Sequence, residues 1–156
     1  MIRRETDAEL VNRIANHPSV WPHVARHGQP LDFSAAFPAT QSGAVVLTNG
    51  EDAAMVFEQT ADRVWQVCTM FQDTCRKERA REVGAAMRDY MAPYADLIFG
   101  KVPNSLPHAK RFYADLGAVP VPVVKVDGED LQAIQVGDDW YVSEPGEELF
   151  ALRMAH

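Results

Sequence analysis

The first stretch of the chain has apolar residues at helical intervals. They recur from Leu10 onward, and Thr6 with Glu9 has the spacing of a capping box. In a capping box a hydroxyl side chain accepts a hydrogen bond from the third helical N–H, so this pair marks a helix start. The spacing predicts a first helix that begins near Asp7 and ends before Pro18.

A second, shorter helix is predicted directly after this one. Ser19 can cap it, Pro22 suits its first turn, and Gly28 can end it. Residues 29–42 contain prolines and show no clear periodicity, so we expect a loop there.

The pattern then changes to runs that are typical of strands. Three such runs are "GAVVLT" (43–48), "DAAMVFEQ" (52–59) and "VWQVCTMF" (64–71). Asn49-Gly50 is a strong hairpin signal between the first two, and "TADR" connects the second to the third. The three runs therefore predict an antiparallel meander.

Helical spacing returns after the meander. Val83, Met87, Tyr90 and Met91 lie on one stripe, and Pro93 ends the segment. A helix that crosses between the third strand and a fourth usually makes that pair of strands parallel. We therefore expect a mixed sheet with helices that cover its faces.

The C-terminal half alternates again between strand and helix patterns. The predicted elements are a strand at 95–102, a helix at 106–118, a strand at 119–126 and a strand at 131–136. Asp127-Gly128 predicts a hairpin between the last two. Pro120 and Pro122 lack N–H groups on the same side of their strand, which indicates a sheet margin.

Composition limits the classes of protein that this chain can represent. It has 156 residues, of which 47% are hydrophobic and 24% charged, and this favours one folded domain over residues 1–156. No run is long enough for a membrane helix, the N-terminus does not resemble a signal peptide, and only two cysteines are present. We therefore expect a cytoplasmic protein.

The net charge further limits the partners. The formal charge of −7 argues against nucleic acids and anionic membranes, because both require positive charge to neutralise phosphate groups. An amine-bearing partner fits better. His23 and His27 are four residues apart without an evident third ligand, so we predict no metal site, and Cys68 is expected to be buried in its strand.

One basic cluster stands out against the acidic background. The stretch "CRKERAR" follows the strand that ends at Phe71 and opens the next helix, and its cations are Arg76, Lys77, Arg79 and Arg81. Helix N-termini expose N–H groups with partial positive charge, so anions bind there. The alternative is a solvated turn in which Glu78 and Glu82 offset the cations.

These features together resemble the GCN5-related N-acetyltransferase (GNAT) family. The helix after the fourth strand keeps the spacing of four family residues, namely Ala109, Phe112, Tyr113 and Gly117. Leu106 replaces the usual asparagine and Ala118 the usual aromatic residue. In the family's cofactor turn, counted from Arg76, the two small residues are replaced by Arg79 and Arg81; counted from Arg79, they become Glu82 and Gly84.

A closer resemblance is to a branch of GNAT-like proteins often encoded by tailed phages, and it covers nearly the whole chain. It is carried by "IANHPSVWPHV", "LDFS", "VWQVCTMFQDTCRKERA" and "KVPNSLPHAKRFYADLGA". That branch commonly has histidine at Cys68, proline at Asp73 and glycine at Lys77, and it keeps the alanine of Ala80.

The resemblance implies an α/β fold of GNAT type. Its sheet is mixed, twisted and mostly antiparallel, with one parallel pair of strands and helices on both faces. It also implies an N-acyltransferase that uses acetyl-CoA on a primary amine of a small molecule or protein, as a monomer or homodimer. The alternative is a catalytically silent GNAT-fold protein, such as a phage protein that binds a host enzyme or a virion component.

The resemblance also implies roles for individual residues. Residues 76–81, including Ala80, would bind the pyrophosphate, and a backbone N–H of Met70 or Phe71 would stabilise the oxyanion. Tyr113 would protonate the departing thiolate, or it packs its ring as a structural residue. Glu58, Asp62 and Asp73 are the candidates for a general base, and Gln66 could orient a water molecule.

Overall fold

The computed structural model describes residues 1–24, 29–34 and 44–154. The helices are α1 (Ala8–Ala15), α2 (Trp21–Val24), α3 (Lys77–Met91) and α4 (Pro107–Asp115), and a 3-10 turn, Ala92–Tyr94, follows α3. The strands are β1 (Arg3–Arg4), β2 (Ala44–Thr48), β3 (Ala53–Ala61), β4 (Val64–Phe71), β5 (Leu97–Pro103), β6 (Val119–Pro120), β7 (Val123–Val126), β8 (Glu129–Val136), β9 (Asp139–Val142) and β10 (Glu147–Arg153). No helix in these ranges is long and apolar enough to span a membrane.

The strands form two sheets. Hydrogen-bonded neighbours in the larger sheet follow the order β1-β2-β3-β4-β5-β10-β6, and the smaller sheet has the order β7-β8-β9. β4 and β5 are parallel, whereas the pairs β1–β2, β2–β3, β5–β10 and β10–β6 are antiparallel. The predicted mixed sheet with one parallel pair is therefore confirmed.

The chain forms two compact units. The first comprises Met1–Glu58 with Val67–Met91, and the second comprises Gln59–Gln66 with Ala92–His156. In the first unit, α1 places its apolar stripe against strand residues. The buried members of this core are Leu10, Val11, Ile14, Ala15, Val20, Val46, Ala54, Val56 and Met70. The helical spacing in the sequence thus identified the core face of α1 correctly.

The second unit has apolar side chains on both faces of β5 and β10. One face joins β5 and β10 to the smaller sheet through Leu97, Phe99, Leu149, Ala151, Val121 and Ile134. The other face packs against α4 through Val102, Ala118, Phe150, Ala109 and Tyr113. Successive strand residues point to opposite faces, so these neighbouring positions serve two separate cores.

Two helix predictions need correction. The N-cap of α1 is Asp7, not Thr6, because the Asp7 carboxylate accepts from the N–H groups of Glu9 (3.0 Å) and Leu10 (3.4 Å). Tyr90 was predicted on the buried stripe of α3 but is 37% exposed. The buried stripe consists of Ala80, Gly84, Met87 and Met91.

The predicted strand at 119–126 is two strands in two sheets. β6 pairs with β10, whereas β7 pairs with β8, and Pro122 lies between them. Proline has no N–H to donate, so the ladder is interrupted where the chain changes sheets. The predicted turn at Asp127-Gly128 is confirmed, and both residues have positive φ angles, 51° and 83°.

The last two strands, β9 and β10, were absent from the prediction. β10 is interior, between β5 and β6, and its consecutive residues Leu149, Phe150 and Ala151 are all buried. The predicted exit of the second helix at Gly28 lies outside the described residues, as does most of the predicted loop at 29–42.

Candidate functional site

The predicted cofactor turn lies where β4 leads into α3. Met70 is fully buried and Phe71 is 8% exposed, so the end of β4 is fixed in the core of the first unit. The parallel pairing with β5 involves only residues 64–66 of β4, and the strand continues to Phe71. α3 begins at Lys77, whose φ of 55° is unusual for a residue with a side chain.

Arg76 contacts the protein's own backbone. Its Nη1 donates to the carbonyl oxygens of Phe71 (2.9 Å), Gln72 (2.8 Å) and Cys75 (3.0 Å). Three backbone carbonyls of one turn thus share a single donor group, so the guanidinium stabilises the curved path of residues 71–75. The structure thus gives Arg76 a role within the turn.

Arg79 forms ion pairs with two carboxylates of the turn between β2 and β3. Its Nη1 lies 2.9 Å from Oδ2 of Asp52 and its Nη2 lies 3.0 Å from Oδ1, a bidentate arrangement. Nη2 also lies 3.0 Å from Oε2 of Glu51. Asp52 is only 6% exposed, whereas the Glu51 side chain is 72% exposed.

Asp52 is a residue that the sequence analysis missed. Asn49 Nδ2 donates to its carboxylate at 2.8 Å and Thr74 Oγ1 at 2.6 Å. Burial opposes its ionisation and is the largest influence, but these hydrogen bonds and Arg79 outweigh burial, and the pKa of Asp52 is lowered. In the sequence, Asp52 looks like an ordinary turn residue after Asn49-Gly50, so only the fold reveals its partners.

The prediction for the cysteines was wrong in one respect. Cys68 is exposed, whereas Cys75 is buried. Side chains alternate along β4, and Cys68 follows the buried Val67, so its thiol lies on the other side of the strand. Burial, followed by the negative charge of Asp52, raises the pKa of Cys75 to about 11, which makes its thiol a poor nucleophile at neutral pH.

The remaining cations of the basic cluster differ in their surroundings. Lys77 is exposed, and the Arg81 side chain is 51% exposed and lies 4.0 Å from Glu78. That distance is a weak ion pair, in line with the solvated-turn alternative. Ala80 is buried at 7% exposure, so its small side chain faces the core.

The three candidate bases, Glu58, Asp62 and Asp73, are all exposed. Glu58 lies on β3 opposite Ala44 of β2. Asp73 lies in the turn after β4, and its N–H donates to Oγ of Ser19 at 3.1 Å. Their role as general bases stays a prediction.

Tyr113 lies on α4 of the second unit and is partly buried. Its ring stacks on Phe150 with centroids 6.3 Å apart, and it meets the edge of Phe112 at 5.4 Å. This packing agrees with the structural interpretation of Tyr113, and the catalytic interpretation stays a prediction. His27 lies outside the described residues, and no group of three metal-ligating side chains occurs within them.

The chain is similar to solved structures, although comparisons of its sequence find no match. No protein-family model and no curated protein sequence matches this chain. Aminoglycoside acetyltransferase AAC(6')-Ib in complex with coenzyme A is similar, with a TM-score of 0.65 and 12% identity over 98% of this chain and 94% of that chain. The chain has the GNAT fold.

Two further structures have the same fold. A GNAT-family acetyltransferase from Bacillus anthracis has a TM-score of 0.62 and 16% identity over 97% of this chain and 93% of that chain. Ribosomal-protein-alanine N-acetyltransferase from Brucella melitensis has a TM-score of 0.61 and 11% identity over 99% of both chains. The fold expected from the resemblance is therefore confirmed, and the phage relationship stays a prediction.

The two ends of α4 differ in their agreement with the family pattern: the residue before the helix departs from it, and the glycine after the helix follows it. Leu106 is the N-cap of α4 and provides no side-chain hydrogen bond, and Pro107 begins the helix. Gly117 follows α4 with a φ of 97°, a conformation that favours glycine at this position.

Proposed function

We propose that this protein is an N-acyltransferase that uses acetyl-CoA on a primary amine. The observation that carries the proposal is the buried end of β4, which leads through a short turn into the N-terminus of α3 on a GNAT fold. A helix N-terminus offers N–H donors and a partial positive charge to an anionic group such as a pyrophosphate. Among the structurally similar proteins, AAC(6')-Ib was solved with coenzyme A and kanamycin, an amine-bearing compound.

The contacts of the arginines change which groups would bind the pyrophosphate. Arg76 is engaged by three carbonyl oxygens and Arg79 by two carboxylates. In the proposal, the N–H groups at the start of α3 bind the phosphates, and Lys77 and Arg81 add positive charge. Arg76 and Arg79 shape the turn.

The reaction needs few groups from the protein. The amine nitrogen attacks the thioester carbon, a C–N bond forms, the C–S bond breaks, and the thiolate takes up a proton. We propose that the backbone N–H of Met70 or Phe71 donates to the oxyanion, and that Tyr113 supplies the proton. Glu58 and Asp73 are the candidates to accept the proton of the amine, from a small molecule or a protein.

Calorimetry with acetyl-CoA tests the proposal. We expect saturable binding to the wild-type protein. Lys77→Ala and Arg81→Ala should each weaken it about two- to fivefold, the size of one charge at a helix N-terminus. Arg13→Ala removes an exposed cation from α1 and serves as the matched control, with no change. No saturable binding at millimolar acetyl-CoA would exclude the enzyme.

The role of Tyr113 has a separate test. In Tyr113→Phe the ring contacts with Phe150 and Phe112 remain, so the protein should stay folded and its affinity for acetyl-CoA should not change. Loss of the acid should lower kcat about a hundredfold or more. If Tyr113→Phe turns over at the wild-type rate, Tyr113 is a packing residue.

A catalytically silent GNAT-fold protein is the second candidate function. It is favoured by the internal contacts of Arg76 and Arg79 and by Lys77, which occupies a left-handed position suited to glycine. Such a protein would act by binding another macromolecule, for example a host protein if the chain is encoded by a phage. A folded wild-type protein that binds neither acetyl-CoA nor coenzyme A would support this function.

A further inference from the structure

Two turns of the first unit are joined by one buried side chain, Asp52. It precedes β3 and reaches the turn between β4 and α3, which is more than 20 residues away in sequence. Oδ1 accepts from Asn49 Nδ2 at 2.8 Å and from Arg79 Nη2 at 3.0 Å. Oδ2 accepts from Thr74 Oγ1 at 2.6 Å and from Arg79 Nη1 at 2.9 Å. Each carboxylate oxygen therefore has two donors.

The backbone of Asp52 adds a further contact to the same turn. Its carbonyl oxygen accepts from the N–H of Gln72 at 2.9 Å. Asp52 thus holds the turn at its start through Gln72, in its middle through Thr74 and at the first turn of α3 through Arg79. The three contacts thus lie along the chain from the end of β4 to the first turn of α3.

The contacts of Asp52 differ from a surface ion pair because its carboxylate is buried. Glu51 also contacts Arg79, but its side chain is exposed, so solvent screens this pair. The Asp52 carboxylate is buried, and both of its oxygens accept hydrogen bonds. Removal of one donor would therefore leave a buried acceptor with one partner fewer. The geometry of the turn therefore depends on this carboxylate in addition to Arg76.

We propose that Asp52 is a positioning residue that fixes the turn at residues 72–79 so that the N–H groups at the start of α3 point to the pyrophosphate of acetyl-CoA. This inference rests on the proposed function. It assigns to Asp52, Thr74 and Arg79 a role in cofactor affinity although none of them needs to touch the cofactor.

The variants are Asp52→Asn, Thr74→Val and Arg79→Lys, and Glu51→Gln is the matched control. Asp52→Asn keeps the size of the side chain but replaces one acceptor by an NH₂ group. In either orientation this group faces Arg79, together with Asn49 or Thr74. Thr74→Val removes only the hydroxyl donor, and it serves if Asp52→Asn does not fold. Glu51→Gln removes a carboxylate that contacts the same guanidinium but is exposed.

Two measurements are made well below the melting temperature of each variant. Amide hydrogen exchange without ligand should become at least tenfold faster for residues 72–80 in Asp52→Asn, and by less than twofold in Glu51→Gln. The Kd and KM for acetyl-CoA should rise about tenfold in Asp52→Asn and severalfold in Thr74→Val and Arg79→Lys, with kcat within about threefold. A purely structural role would lower the melting temperature without this change in Kd and KM.

The outcomes separate the two proposals. If wild-type protein does not bind acetyl-CoA, the proposed function fails, and this role of Asp52 fails with it. If wild-type protein binds and Asp52→Asn and Thr74→Val bind equally well, the role of Asp52 alone is overturned. Unchanged hydrogen exchange at residues 72–80 in both variants would also overturn it.

Discussion

At the scale of single residues, the basic cluster shows how the same cations can serve different purposes. Arg76 and Arg79 were predicted to bind phosphate, but they contact three carbonyl oxygens and two carboxylates of the protein. A guanidinium has five donors in a rigid plane, so it can satisfy several backbone carbonyls at once. Sequence shows the charge of such a residue but not the direction of its donors.

Lys77, like Arg63, has a left-handed backbone conformation that is costly for a residue with a side chain. Its φ of 55° is left-handed, which costs a residue with a side chain about 1–2 kcal/mol, while glycine adopts it readily. Lys77→Gly should therefore raise the free energy of unfolding by about 0.5–1 kcal/mol after the greater chain entropy of glycine is deducted. Urea denaturation measures the change.

A control variant separates strain from charge at this position. Lys77→Ala removes the same charge near the N-terminus of α3 but keeps the left-handed strain, so its stabilisation should be smaller. If the alanine variant is as stable as the glycine variant, the conformation of Lys77 is not strained in solution.

At the scale of elements, a side chain of β8, Gln132, connects this strand to β10 and to Val121, which lies between β6 and β7. Gln132 Nε2 donates to the carbonyl oxygen of Val121 at 2.9 Å, and its Oε1 accepts from the N–H of Leu149 at 2.9 Å. The smaller sheet is thereby connected to β10 within the second unit. These contacts add to the apolar packing of Ile134 with Leu149.

Loss of this connection should be measurable. Gln132→Ala leaves the N–H of Leu149 and the carbonyl of Val121 without their side-chain partner, so it should lower the free energy of unfolding by about 1–3 kcal/mol. Gln135→Ala is the matched control, because Gln135 is exposed on the same strand and should cost far less. Equal destabilisation by both variants, in denaturant titrations, would mean that the hydrogen bonds of Gln132 contribute little.

Strand prediction succeeded for the meander and for β5, and it missed β9 and β10. The meander β2–β4 and the turns at Asn49-Gly50 and Asp127-Gly128 agree with the patterns in the sequence. β10 is covered on both faces, by the smaller sheet and by α4, so its buried residues are consecutive and show no alternation. The division of residues 119–126 required knowledge of which sheet each half joins.

At the scale of the whole molecule, two buried carboxylates connect stability to pH. The pKa of Glu5 is lowered: burial, the largest influence, raises it, but hydrogen bonds from Thr48, Arg3 and two backbone N–H groups outweigh burial. The pKa of Asp52 is lowered in the same way. Both carboxylates therefore stabilise the fold when they are ionised.

The sign of the pH dependence follows from these shifts. A carboxylate with a lowered folded pKa stabilises above its unfolded pKa, which is about 4, and this contribution is lost as the pH falls through the folded pKa. We expect the free energy of unfolding to be constant from about pH 7 to 5 and to fall below about pH 4. Urea titrations at several pH values measure it.

Variants identify the groups responsible. Glu5→Gln and Asp52→Asn should be less stable than the wild-type protein at pH 7, and the double variant should lose less stability between pH 5 and 3. A double variant with the same loss as the wild-type protein would show that other groups cause the acid sensitivity.

The sequence by itself determined the helices of the first unit, the meander, the parallel crossover and the GNAT resemblance, because these depend on local periodicity, turn chemistry and residue spacing. Only the tertiary structure decided the partners of Arg76, Arg79 and Asp52, the exposure of Cys68 and the position of β10. The physical reason is that hydrogen-bond direction and burial on two faces arise from residues far apart in the chain, and no local pattern records them.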